Sequence, residues 1–336
     1  MKQKTSLVIF AALICFLFAG CHFGGSGSWV NDHIDSQLRT EIKALNNELL
    51  TDIITNNAEG VKKMASSELL AKSEKGIDTL IAQASQIIKD KEYDVVDEYY
   101  TKNTAENTRN TLMSTNSDNN AYTLNYMALN KEVYVSLLVP KNKAISFMVL
   151  VIYGKNDTGW KLNVIQINQY KILEKTAVDY YDEARKNYDM GYLIDAANSM
   201  YVASKISAPG ADYFKYKKDD EMKTFYLKTI QAASDKYHFP LTIAQIKTKP
   251  QVFAIENQLI TKDEPQGIFP IIRYKSAISV ADTVALKAEN KEMQKAIGGV
   301  FKGIDQNRPL IIYEAYNQIP NGKTEVKRFG MMQKLK

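Results

Sequence analysis

The chain of 336 residues carries 43 lysines and arginines against 38 aspartates and glutamates, a net charge of +5, and 45% of it is apolar. That apolar share supports a buried core and excludes a disordered or collagen-like chain. The charge is too mild and too dispersed for a nucleic-acid surface, so no nucleic-acid partner is expected.

The N-terminus opens with the basic segment Met1-Lys2-Gln3-Lys4 and runs apolar from Leu7 to Phe18. A bilayer span needs about 20 apolar residues, so this run is too short to cross and fits the apolar region of a secretory signal. At its exit, Phe18-Ala19-Gly20-Cys21 resembles the bacterial lipobox, with Phe18 at the usual leucine position and Leu17 one step earlier. The resemblance implies a signal peptide over 1–20 that is removed and a Cys21 that is acylated, including with palmitate. Lipid chains contribute about 0.8 kcal/mol per buried methylene, and several chains on one residue make a stable anchor. The partner implied first is therefore the membrane itself. No aspartate follows the cysteine, which by resemblance to sorting in diderm bacteria implies the outer membrane and leaves the leaflet open.

Cysteine usage agrees with this reading. The two cysteines are Cys15 and Cys21, one removed and one acylated, so the mature body has no thiol for catalysis, zinc or a disulfide. Losing Lys2 and Lys4 takes the charge from +5 to +3. The Gly- and Ser-rich stretch from His22 to Ser28 predicts a flexible tether over 21–31.

From 32 to 172 the pattern predicts a first α+β unit. Ile34, Leu38, Ile42, Leu45, Leu49 and Ile53 form a one-sided helical stripe. Ile77, Leu80, Ile81, Ala84, Ile87 and Ile88 mark a second helix, and a short third runs through Val95, Val96, Tyr99 and Tyr100. Residues 102–120 are polar and read as a loop. The period then becomes two over 121–129, 133–139, 144–153 and 160–172, and the short connections predict a four-strand antiparallel meander. This order, closing with "GWKLNVIQINQYKI", resembles the NTF2-like fold over residues 36–172, in which a curved sheet wraps around a helix. The resemblance implies a cavity between helices and sheet.

Residues 173–209 predict a helical hairpin connector. It resembles one tetratricopeptide-type hairpin, with Tyr180, Ala184 and Tyr188 on its first helix, Gly191 at the bend, Ala196, Met200 and Ala203 on its second, and Pro209 after it. Solenoids need at least three repeats and only one is visible, so packing between two domains is the expected role. A smaller α+β unit then fills 210–336. It has a helix over 219–237, strands over 251–260 and 267–280, and a helix capped by Asp282 and ended by Gly298-Gly299. Strands over 308–319 and 323–333 follow, joined at "PNGK".

Motifs of known chemistry are absent from the sequence. The histidines are His22, His33 and His238, in no metal-ligand spacing, and there is no nucleophile elbow, phosphate loop or dinucleotide fingerprint. No cofactor, metal or catalytic residue is expected. Within "KDKEYDVVDEYY", Asp94 and Asp97 share a helix face with Glu98, a candidate ligand-binding or acid-base cluster whose alternative is a solvated face. Tyr122, Tyr126, Tyr134 and Tyr153 lie on the meander as candidate ligand-binding residues, with core filling as the alternative. The expectation is a non-enzymatic, membrane-anchored envelope lipoprotein that binds a partner protein or small ligand. An isomerase-, hydratase- or hydrolase-like enzyme using the NTF2-like cavity is the alternative.

Overall fold

In the computed structural model, which describes residues 26–115, 119–141 and 144–335, the middle layer of the N-terminal part is an antiparallel sheet. Its strands are β1 (Gly27–Val30), β2 (Tyr93–Lys102), β5 (Glu132–Pro140), β6 (Ile145–Asn156) and β7 (Gly159–Ile172), side by side in that order. The lipobox and Cys21 lie outside the described residues.

Alternate side chains of a strand leave on opposite faces, and here both faces are buried. Val133, Val135, Leu137, Met148, Leu150 and Ile152 fill one core. Tyr134, Leu138, Val149, Val151 and Tyr153 fill the other. That second face is covered by α1 (Ser36–Ile54), α2 (Ala58–Met64) and α3 (Ser67–Ile87). The Asp35 carboxylate caps α1 by accepting from the backbone N–H groups of Gln37 and Leu38, both at 3.0 Å. The α1 stripe presses Ile42, Leu49 and Ile53 onto the sheet, each burial contributing about 1.5–3 kcal/mol.

The first face is covered by a small sheet and a helical hairpin. The small sheet pairs β3 (Thr108–Met113), β4 (Tyr122–Ala128) and β8 (Phe214–Tyr216). The hairpin is α4 (Ala177–Asp189) and α5 (Leu193–Lys205). Thr176 and Asp179 form a reciprocal capping box at the start of α4, and Gly191 turns the chain at a φ of +76° that suits glycine. Tyr180, Ala184, Met200 and Ala203 of the hairpin are buried in the sheet's core.

After α6 (Asp219–Lys236), the strands β9 (Leu241–Thr242), β10 (Gln251–Ile260), β11 (Gly267–Lys275), β12 (Leu310–Tyr316) and β13 (Arg328–Lys334) form a second five-stranded sheet. It is mixed, because α7 (Thr283–Val300) carries the chain over to a parallel β11–β12 pair. Leu286, Met293, Ile297 and Phe301 pack on Ile272, Tyr274 and Tyr313. The hairpin also reaches this unit. Arg308 pairs with buried Asp195 at 2.5 Å, and the Asn257 amide donates to the Asn198 carbonyl at 2.9 Å. The class is mixed α+β with seven helices among the described residues.

Several expectations are corrected. Residues 121–129 do form a strand, but β4 pairs with β3 and β8 and takes no part in a four-strand meander. The place beside β5 belongs to β2, whose residues Val95, Val96, Tyr99 and Tyr100 were expected to be helical. Valine, tyrosine and threonine favour a pleated, half-buried surface, and pairing with β5 outweighs the local carboxylate spacing. The polar stretch 102–120 holds β3, exposed on alternate positions. Of the expected tether 21–31, Gly27–Val30 is paired with β2, and the Trp29 ring stacks on Tyr100 at 5.4 Å. Gly298 and Gly299 lie inside α7, which ends at Val300.

Candidate functional site

A cleft of about 810 Å3 opens between α1 and the first half of β2. Pairing leaves this place open: β1 covers β2 only from Tyr99 to Lys102, so among the described residues the outer edge from Tyr93 to Glu98 has no strand beside it. A bulge between Val95 and Asp97 turns that stretch of β2. One wall is the polar side of α1, presenting Arg39, Lys43 and Asn47; the other carries Tyr93, Val95 and Glu98; Lys91 and Lys141 stand at the rim. Four cations line the cleft against the two carboxylates Glu92 and Glu98.

The charges at the cleft are partly matched. Arg39 Nη1 lies 2.7 Å from Asp32 and 3.9 Å from Glu98, and Lys141 lies 3.1 Å from Glu92. Among the described residues, Lys43 and Lys91 make no ion pair within 4.0 Å. The Tyr134 hydroxyl donates to Glu98 at 2.6 Å. Burial, then that hydrogen bond, push the Tyr134 phenol well above its ordinary value, so it stays a neutral donor. Burial and the charge of Glu98 push the Tyr93 phenol up as well. Its hydroxyl faces Asn46 without a hydrogen bond of good geometry, and Arg39 Nε also lacks a partner.

Behind the cleft floor a second polar group is closed on itself. The Tyr153 hydroxyl donates to Asn46 Oδ1 at 3.0 Å, and Asn46 Nδ2 donates to Ser136 at 3.2 Å. Asn46 and Ser136 are buried between apolar neighbours. Both were visible as signals: Asn46 interrupts the stripe Ile42–Leu49–Ile53, and Ser136 interrupts "VYVSLLV". Arg39 and Lys43 carry no such mark, because a cation on the polar side of a helix is ordinary.

The expected site residues separate into distinct places. Tyr134 and Tyr153 stand beneath the cleft, fully buried. Tyr122 and Tyr126 lie on β4 across the sheet and meet no cleft residue. The shared helix face of Asp94 and Asp97 does not exist, because both are on β2: Asp94 is exposed and Asp97 is buried on the face away from α1. Asp97 Oδ1 accepts from Asn31 Nδ2 at 2.8 Å and Thr115 Oγ1 at 2.7 Å, while Oδ2 accepts from the hydroxyls of Tyr122 and Tyr99. Three neutral donors hold this carboxylate and the Tyr99 hydroxyl shares its one hydrogen between it and the Met113 carbonyl at 3.1 Å, which makes Asp97 a knot between the N-terminal segment, β2 and the β3–β4 hairpin. Tyr126 is held likewise, with its hydroxyl 3.1 Å from both Thr101 Oγ1 and Asn110 Nδ2.

No protein-family model, curated protein or solved structure matches the chain. No helix among the described residues is long and apolar enough to cross a membrane.

Proposed function

We propose that this chain is a lipid-anchored envelope lipoprotein of the outer membrane, held through Cys21, whose body is a non-enzymatic binding module. Its ligand is small and anionic, rich in hydrogen-bonding groups, as a sugar acid is. The observation that carries the reading is the cleft beside α1. Its volume of about 810 Å3 falls within the range of small-ligand sites, and Lys43 and Lys91 offer charge that no carboxylate among the described residues takes up. Ser36, Thr40 and Asn47 add short polar groups along the same wall. Tyr93, on the cleft wall, is kept neutral and its hydroxyl makes no hydrogen bond among the described residues, which suits a donor to a bound oxygen and not a base.

The same geometry supports an NTF2-like reading of residues 36–172 in general plan: helices packed on one face of a bulged antiparallel sheet, with a cleft between them. The place of β4 in another sheet departs from a four-strand meander.

The test is calorimetric titration with glucuronate and, as a neutral control, glucose. The proposal expects glucuronate to bind, glucose to fail, and the double variant Lys43→Ala/Lys91→Ala to lose glucuronate while keeping its melting temperature. Equal binding by wild type and double variant would remove the cleft as the site.

A further inference from the structure

Gly27 pairs with Lys102, Lys102 with Glu132, Glu132 with Lys155, and Lys155 with Trp160, one row across all five strands of the central sheet. The chain therefore enters the fold at one end of that sheet. The other end carries Tyr93 opposite Pro140, with the Lys141 N–H donating to the Glu92 carbonyl at 2.9 Å. Lys91, Glu92 and Lys141 of the cleft rim stand there.

We infer that the end of the central sheet bearing Gly27, Lys102, Lys155 and the Asp157-Thr158 turn lies against the lipid surface, so that the cleft rim at Lys91 and Lys141 points away from it. This inference rests on the proposed acylation of Cys21. Six chain steps separate Cys21 from Gly27, and at the extended limit they reach about 20 Å. The ten residues of β2 span about 30 Å. An inverted body would hold Gly27 farther from the bilayer than the connecting chain can reach.

The side chains at this end suit a headgroup layer. Trp29 at this end is 36% exposed, and tryptophan favours the membrane–water boundary. Lys102 and Lys155 lie over the rings of Tyr100 and Trp160 at 5.8 and 5.6 Å, within the same row as Glu132. That mixture of charges gives little electrostatic steering, so the length of the connection sets the orientation.

The test couples a chain beginning at Cys21, through its thiol, to a maleimide phospholipid in phosphatidylethanolamine–phosphatidylglycerol vesicles containing a brominated lipid. Two reporters are compared in a Trp29→Phe background, Asp157→Trp at the entry end and Lys91→Trp at the far end, with buried Trp160 as the common baseline. The inference expects bromolipid quenching at position 157 and none at position 91. Inserting about twenty Gly and Ser residues before Gly27, enough to outreach β2, should abolish the difference. Equal quenching at both reporters with the native connection, or stronger quenching at 91, would overturn it. Because the lipid is attached chemically, this outcome is separate from whether the native chain is acylated, which the mass of its N-terminal peptide reads.

Discussion

The phenol of Tyr122 on β4 donates its hydrogen to the buried carboxylate of Asp97 on β2, joining the small sheet to the central one through a charged hydrogen bond. Asn31, Thr115 and Tyr99 complete the acceptor's shell. Replacing Asp97 by alanine takes the acceptor from buried Tyr122 and half-buried Asn31, while exposed Thr115 can turn to water and Tyr99 keeps the Met113 carbonyl at 3.1 Å; the cost is about 1–3 kcal/mol for each donor that water cannot reach. Asp97→Ala should therefore lower stability by about 3–5 kcal/mol, and Tyr122→Phe by about 1.5–3 kcal/mol. Urea unfolding of both variants checks this; a loss within error for Asp97→Ala would show that the knot is dispensable.

Arg308 and Asp195 hold the hairpin to the C-terminal unit. Burial raises the Asp195 carboxyl above its ordinary 3.8 even with Arg308 at 2.5 Å. Arg308→Ala should cost about 3–5 kcal/mol at neutral pH by leaving the carboxylate uncompensated. Without the guanidinium the folded-state value rises further, so the variant's deficit is present at neutral pH and shrinks as the pH falls and Asp195 takes up a proton. Melting curves of wild type and variant at a series of acidic pH values read this directly. A deficit that stays constant on acidification would contradict it.

Tyrosine sets an alkaline limit. Burial, and then the hydrogen bond to Glu221, push Tyr181 from its ordinary 10.0 up to about 12. A phenol that holds its proton more tightly when folded contributes stability fully below pH 10, and that contribution is lost as the pH rises from 10 toward 12. Tyrosinate absorbance of the native protein should lag behind that of the urea-unfolded chain across this window. Tyr181→Phe should lose stability less steeply there than wild type; parallel slopes would place Tyr181 outside the effect.

At Gly154 on β6, an added Cβ would come within 1.8 Å of Asn130 Oδ1 and 2.3 Å of Asn163 Nδ2, which bond each other at 2.9 Å. Gly154→Ala should destabilise by about 1–3 kcal/mol through overpacking. Because Gly154 lies toward the entry end of the sheet, opposite Val133, ligand binding at the cleft should be unchanged in the folded fraction. Unfolding curves and titration of the same preparation check both halves.

Elements with a strong period and a clean cap were legible in the sequence. The α1 stripe, the strands β5 to β7, the α4–α5 hairpin with Gly191 at its bend, and the Asp282 cap all stand in the structure. The elements that were misread have physical causes. In β2 the bulge at Val95/Asp97 shifts the alternation, and the remaining three- and four-residue spacing of carboxylates imitates a helix. In β3, exposure of alternate positions gives a polar composition that reads as loop. β1 and β8 are four and three residues long, too short for any period, and are fixed by their partners β2 and β4. The cleft was hidden for the same reason, since it exists only because β1 leaves half of the β2 edge open.

The state of Cys21 decides whether the body is lipid-anchored, and the mass of the N-terminal peptide of protein purified from its native membrane tests it. The expected result is a mature chain that starts at Cys21 and carries acyl chains on that residue. A chain starting upstream of Cys21, or a Cys21 terminus with no lipid, would contradict it.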